Sequence, residues 1–171
     1  MKFNLIFKYI LKNINFTSLA SIFKYKKDEA IVVGAPYIYF INLHLKFATP
    51  FYTTQLIDLF AYSFNSLETV VYTYHQIKSQ RRLFIFATPQ YKSASLKSVS
   101  ELFMNAGWLE RECAELNGVL FFNKRDTRNL MLPYSDSSTP FQKNFPTIGL
   151  KEIFYDLRVD ALVHKTVLVQ F

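Results

Sequence analysis

Few side chains in this sequence are placed to do chemistry of their own. Cys113 is the only cysteine. A lone thiol closes no internal disulfide, and it cannot hold an iron–sulfur cluster or a structural zinc without several partners. It also falls at an apolar position of a predicted helix, where burial makes a cysteine inert. His44, His75 and His164 lie on three separate predicted strands, with no carboxylate at ligand spacing. They read as surface or edge residues, and a Cys113–His nucleophilic pair is the remaining enzymatic alternative. The four glycines, at 34, 107, 118 and 149, are too scattered for a dinucleotide fingerprint or a P-loop. No catalytic, cofactor-binding or metal-ligating residue is therefore assigned. One dense polar cluster is left, Glu110-Arg111-Glu112 followed by Glu115. Its plain reading is a solvated helix face, on which Arg111 and Glu115 at i, i+4 can pair.

The cluster sits on a predicted helix that Asn105 caps and Gly118 ends, with Leu109, Cys113 and Leu116 on one face. Just before it, Val99, Leu102 and Phe103 suit a short helix. Upstream, residues 37–47 alternate, with Tyr39, Ile41, Leu43, Leu45 and Phe47 on one side, which predicts a half-buried strand. Thr49-Pro50 reads as an N-cap and first helical residue, predicting a helix with Tyr52, Leu56, Leu59 and Phe60 on one side; Ile57 to Phe64 also suits an extended strand. Glu68 to Gln76 and Arg81 to Thr88 predict a hairpin around Ile77-Lys78-Ser79-Gln80. From Pro133 to Pro146 the chain is irregular, and Ile153 to Phe171 alternates as an extended arm or edge strand. The fold class expected is α+β: a small mixed or antiparallel sheet with a few helices, then an extended irregular C-terminal arm. The divisions fall at 1–30, a basic N-terminal extension, 31–118, an α/β domain, and 119–171, the arm.

The formal charge of +7 invites a nucleic-acid reading that its distribution opposes. Residues 1–27 hold six lysines and no acid, leaving 14 basic and 13 acidic side chains beyond them. A phosphate-binding domain needs its basic residues on the folded surface; here only a tail is basic. Phe3, Phe7, Ile10, Leu11 and Ile14 share one helical face of that tail, which resembles a mitochondrial presequence and predicts either a partner- or lipid-docking helix or an ordinary surface helix. No apolar run approaches the ~18 residues of a membrane span. With 18 Phe and 11 Tyr against one Trp, the composition carries the imprint of AT-rich codons, as in an organellar genome. Some exposed aromatics then carry no functional message.

The stretch Asn105-Ala106-Gly107-Trp108-Leu109-Glu110-Arg111-Glu112 resembles the signature of the complex I 30-kDa subunit family, which spans the mitochondrial enzyme and its bacterial quinone oxidoreductase counterpart. The register continues through Gly118-Val119, Phe121, Asp126, Arg128, Tyr134, Pro140, Lys143, Phe145-Pro146, Gly149, Glu152 and Tyr155-Asp156. More loosely, Leu56-Ile57-Asp58 and Tyr72 to Phe86 follow it too. The likeness covers about residues 54–156. Ala114-Glu115, Lys124-Arg125, Asn129 and residues 135–138 depart from the family pattern, marking a divergent member.

The resemblance implies a scaffolding subunit of the quinone-reducing module of a proton-pumping NADH:ubiquinone oxidoreductase, at the matrix side of the mitochondrial inner membrane. Flavin and iron–sulfur clusters would belong to partner subunits, with no cofactor, no nucleic acid and no transmembrane segment in this chain. The arm would lie along the large quinone-site subunit of the 49-kDa type. Trp108, Glu110, Arg111, Glu112, Asp126, Arg128, Pro140, Lys143, Phe145 and Pro146 would form the partner interface, with the charges paired across it. An arm without a partner surface implies marginal stability in isolation. The alternatives are the equivalent subunit of a chloroplast-type or hydrogenase-linked complex, or a basic RNA- or lipid-binding module acting through residues 1–27.

Overall fold

The computed structural model describes residues 21–25, 28–47, 54–64, 67–78, 80–88, 95–134 and 136–167. The predicted amphipathic helix at 3–14 and the Thr49-Pro50 cap lie outside the described residues. The core is a five-stranded sheet in the order β1-β2-β5-β4-β3, formed by Ser21–Tyr25, Asp28–Gly34, Arg81–Thr88, Leu67–Gln76 and Thr54–Phe64. β2 and β5 run parallel and the other neighbours antiparallel. The sheet is therefore mixed and the fold α+β, as expected. The hairpin of β4 and β5 forms where it was predicted, with Gln80 at φ 49° turning the chain. No helix among the described residues is long and apolar enough to cross a membrane.

Residues 37–47 correct the first strand prediction. Ala35–Tyr37 form a 3-10 turn and Ile38–Phe47 a helix, α1. With only Asn42, His44 and Lys46 polar, the segment satisfies both periods, and Ile38, Ile41 and Leu45 are spaced for one buried helical face. Pro36 at the start supplies a helical φ. The parallel pairing of β2 with β5 also demands a long crossover connection, which commonly carries a helix. Inside α1 the buried Asn42 donates to Ile38 O at 2.8 Å and accepts the Tyr74 hydroxyl, tying the helix to the centre of the sheet. His44 thus sits on a helix, with Nδ1 2.8 Å from Phe40 O.

The helix expected around Leu56 and Leu59 is strand β3. A bulge between Leu56 and Asp58 shifts the phase of the pleat. It turns two inward positions three residues apart, and both leucines are buried. A bulge in a strand thereby imitates the i, i+3 spacing of a helix.

The second helix, α2, spans Ala106–Asn117 and ends at Gly118 in the left-handed region, as predicted. The short helix expected before it is a single turn, in which the Leu102 and Phe103 amides donate to Val99 O. Asn105 precedes α2 but makes no side-chain cap. Its Nδ2 donates instead to Leu56 O at 2.6 Å. Cys113 Sγ reaches Leu59 O at 3.5 Å and Asn117 Nδ2 reaches Ala61 O at 3.4 Å. These side chains occupy carbonyls along the outer edge of β3, an edge that would otherwise present free pairing groups.

Neither proposed division is a structural break. Residue 30 falls inside β2, which continues the sheet begun by β1. Beyond Gly118 the chain returns to the domain: β7, Phe121–Phe122, pairs in parallel with β6, Leu96–Lys97. The C-terminal alternation is a hairpin rather than one extended arm. β8, Lys151–Asp156, pairs antiparallel with β9, Ala161–Thr166, and Asp160 takes φ 54° in the turn.

Candidate functional site

α2 holds the returning chain with three charged side chains and its C-terminal carbonyls. Glu110 is completely buried. Ser98 Oγ donates to its Oε2 at 2.7 Å and the Val99 amide to its Oε1 at 2.8 Å. Lys124 Nζ stands 3.7 Å from Oε2, an ion-pair distance. Burial pushes the Glu110 carboxyl up, against the lowering effect of Val99, Ser98 and Lys124. Burial likewise pulls the Lys124 ammonium down, opposed by Glu110. Each charge is thus tolerable because the other is present.

Arg111 spreads its guanidinium over one loop. Nε donates to Arg128 O at 2.8 Å, Nη2 to Asn129 O at 3.0 Å, and Nη1 lies 3.3 Å from Asp126 Oδ2. Asp126 also takes Arg128 Nη2 at 2.9 Å, and its carboxyl lies well below the ordinary range, chiefly through hydrogen bonds from Arg128. One turn on, Glu115 accepts the successive amides of Leu130, Met131 and Leu132. Three consecutive amides converging on one carboxylate form an anion nest. Burial raises the Glu115 carboxyl, but the amides of Met131, Leu130 and Leu132, with Arg111, outweigh it and hold it below its ordinary value. At the helix end, the Phe141 amide donates to Leu116 O at 2.9 Å and Gln142 Nε2 to Asn117 O at 2.9 Å. The carbonyls that a helix C-terminus leaves open are thereby met by residues 141 and 142.

These contacts correct two expectations. Arg111 and Glu115 do not form the predicted i, i+4 pair, because the loop backbone offers each more hydrogen bonds than the other could. Glu110 and Arg111 are paired inside their own chain, and Glu110 has no surface to present to a partner. Residues 119–142 accordingly rest on a surface of their own domain, where an arm lying along a partner subunit was expected. Ser98, Lys124 and Gln142 were missed altogether. They lie in irregular chain, 12 to 25 residues from their partners on α2, and no periodicity marks them.

The other expected interface residues are placed differently. Trp108 is 63% exposed beside Arg111, whose Cζ lies 5.4 Å from its ring centroid. Lys143 and Pro146 are exposed, and Glu112, Arg128, Pro140 and Phe145 stand at or near the surface. Cys113 is buried, and its surroundings, burial first and then the charges of Glu112 and Asp58, push the thiol up to about 12. Among the described residues no group of three or more His, Cys, Asp or Glu could hold a metal ion.

Glu115→Gln should lower stability by about 2 kcal/mol at pH 7, since an uncharged amide cannot satisfy three donors equally. The folded carboxyl is depressed, so its contribution is present above the ordinary value of about 4.3 and is lost as pH falls through the folded one. In urea titrations from pH 7 to 3, the gap between the chain and the variant should therefore close at the acid end. A gap of constant size would show that the ionised carboxylate is not what holds the amides.

Residues 31–151 match the profile of a family described as respiratory-chain NADH dehydrogenase, 30 Kd subunit. The chain belongs to this 30-kDa subunit family. A relative, the NADH-ubiquinone oxidoreductase subunit 9 of Acanthamoeba castellanii, is 39% identical over 102 residues, 60% of this chain and 47% of that protein. The chain spans about half the length of this and other curated relatives it matches. Two solved structures share the fold. One is from the membrane-bound sulfane sulfur reductase, an archaeal respiratory membrane complex, with TM-score 0.69 and 15% identity over 85% of this chain and 86% of that one. The other is a trypsin-resistant fragment (1–134) of Nqo5, with TM-score 0.58 and 18% identity over 70% of this chain and 98% of the fragment.

Proposed function

We propose that this chain is a structural and assembly subunit of the quinone-reducing module of NADH:ubiquinone oxidoreductase, docking chiefly on the large quinone-site subunit, without a cofactor of its own. The observation that carries this reading is the apolar surface of the chain beyond the α2 clasp. Ile148, Leu150, Ile153, Leu157 and Leu162 are all more than half exposed. Apolar exposure concentrated in this one stretch of chain favours a protein–protein interface. The family membership points the same way. Placement on the matrix side of the mitochondrial inner membrane is part of the proposal, supported by its likeness to the mitochondrial NADH dehydrogenase iron-sulfur protein 3 of Candida albicans and by the basic start.

The division of labour within the chain follows from the clasp. α2 shapes residues 119–142, and the partner receives the chain that follows. Arg111→Ala should therefore loosen the 126–129 loop and lower the amount of assembled complex, while the five-stranded sheet remains folded. Mild-detergent extraction, native electrophoresis and an NADH-reductase stain read this out. Migration of the chain in the large NADH-oxidising band supports the reading. A small, solitary band would overturn it, and normal complex levels with impaired turnover in Arg111→Ala would argue against a scaffolding role.

A further inference from the structure

The five-stranded sheet has a second face, turned away from its helices. α1, α2 and the turn at Val99–Phe103 pack on the side that carries Ile31, Val33, Tyr72, Tyr74, Leu83 and Ile85. Strand alternation points the residues between these the other way. Cross-strand register sets them in rows, Val32, Phe86, Val71 and Phe60 in one and Ala30, Phe84 and Thr73 in the next. No described helix lies over this face, yet its centre is dry. Val71 is 1% exposed and stands outside the cluster of buried residues under the helices. Thr69 and Thr73, on the same side of β4, are buried too. Ala30, Val32, Phe84 and Phe86 are half-buried, and the face opens only at β3, where Phe60 is 45% exposed. A sheet face left to water is polar and stays wet. This one is apolar and closed over β4.

Its cover must come from chain with a free end and enough length to pass round the sheet. Residues 48–53 join α1 to β3 and residues 89–94 join β5 to Leu96, so each is tied at one end to the α1 side. The β8–β9 hairpin is exposed along most of both strands and covers no apolar neighbour. Residues 168–171 are too few to shield two strands. Residues 1–20 remain. They lead into the edge strand β1, and Phe3, Phe7, Ile10, Leu11 and Ile14 share one face at helical spacing, with Lys8 and Lys12 off it. The dimensions agree. A helix about 10 Å across shields about two strands spaced about 4.8 Å apart. Burial over β4 and β5, with β3 left open, has that footprint. A helix centred there lies about 12 Å from β1, and residues 15–20 can span about 20 Å when extended.

Independently of the assembly role proposed above, we infer that residues 3–14 form an amphipathic helix packed on the second face of the sheet, with Phe7, Ile10 and Leu11 over Val71, Phe84 and Phe86. The basic start of the chain is then a third layer of its own domain. Its lysines face water, and its apolar side is withheld from lipid and from other subunits.

Thiol labelling of the isolated full chain tests this. Val71→Cys puts a thiol at the centre of the face, and the buried Cys113 serves as the check that the chain is folded. The thiol at position 71 should react with a water-soluble maleimide at least tenfold faster once Phe7→Asp and Leu11→Asp are added, with Cys113 unlabelled in both proteins. Fast labelling without the two aspartates means an open face, and equally slow labelling with them means another cover. Either overturns the inference. So does slow labelling confined to high protein concentration, which makes a second copy the cover, or confined to the native complex, which assigns it to a neighbouring subunit. Should the aspartates unfold the chain, so that Cys113 labels as well, nuclear Overhauser contacts in the unaltered protein decide. Contacts from the Val71 methyl groups to Phe7, Ile10 or Leu11 are expected, and their absence overturns the inference.

Discussion

Glu110→Ala is expected to destabilise the protein by about 3–5 kcal/mol, the cost of leaving one member of a buried ion pair without the other. The Lys124 side chain is 5% exposed and cannot turn to water without unmaking the packing around it. The variant would also strand the Val99 amide, which donates to Glu110, and leave the Ser98 hydroxyl only its contact with Ser100 Oγ at 2.8 Å. For a chain of this length the melting temperature should fall by roughly 6–20 °C. Lys124→Met should be costly for the converse reason. The double change Glu110→Ala with Lys124→Met should cost markedly less than the sum of the two single changes, because the desolvation penalty disappears along with the attraction. Calorimetric melts of the four proteins decide it. Additive losses would show that the two residues act independently and that the ion pair is incidental.

Gly118→Ala should cost about 2–3 kcal/mol by a route that involves no charge. Gly118 sits at φ 74°, where an L side chain pays about 1–2 kcal/mol. Its new Cβ would lie 2.6 Å from Gln142 Nε2 and 3.1 Å from Thr139 Cγ2. The glutamine can swing away only by giving up its hydrogen bond to Asn117 O, worth about 1 kcal/mol. The two contributions separate experimentally. Gly118→Ala in a Gln142→Ala background should cost the backbone strain and the remaining contact with Thr139, and Gly118→Asn, which tolerates the left-handed region better, should keep mainly the crowding. Faster hydrogen exchange at the Phe141 amide would report release of the chain from the helix end. If the amide of Phe141 stays protected in Gly118→Ala, the helix C-terminus and residues 139–142 are not coupled.

The sequence made some of this legible and concealed the rest for physical reasons. The β4–β5 hairpin and α2 were readable because each has one dominant period and punctuation at its ends. Residues 37–47 were not, because a segment apolar almost throughout satisfies periods of 2 and 3.6 together, and the arbiter is the pairing of β2 with a strand 54 residues further on. Leu56 and Leu59 misled because a bulge is invisible to periodicity. At the candidate site, the acidic and basic residues of α2 stood out as a cluster, but their targets are backbone amides and carbonyls of the 126–132 loop, which every residue possesses. A charge that binds main chain leaves no complementary residue type to find. The surface at Trp108 and along residues 141–162 was readable only through the family likeness, since composition gave exposed aromatics another explanation.

The edge of β3 has a consequence for how the chain is made. Leu56 and the Asn105 side chain that covers its carbonyl are separated by 49 residues. At a synthesis rate of roughly 5–20 residues per second, the strand would emerge several seconds before its cover. During that interval a sheet edge bearing Ile57, Phe60 and Tyr62 stands open to any other unpaired strand nearby. The nascent chain is therefore most exposed to misassociation in that window, and a holding chaperone that recognises extended apolar segments would find its target at residues 54–64.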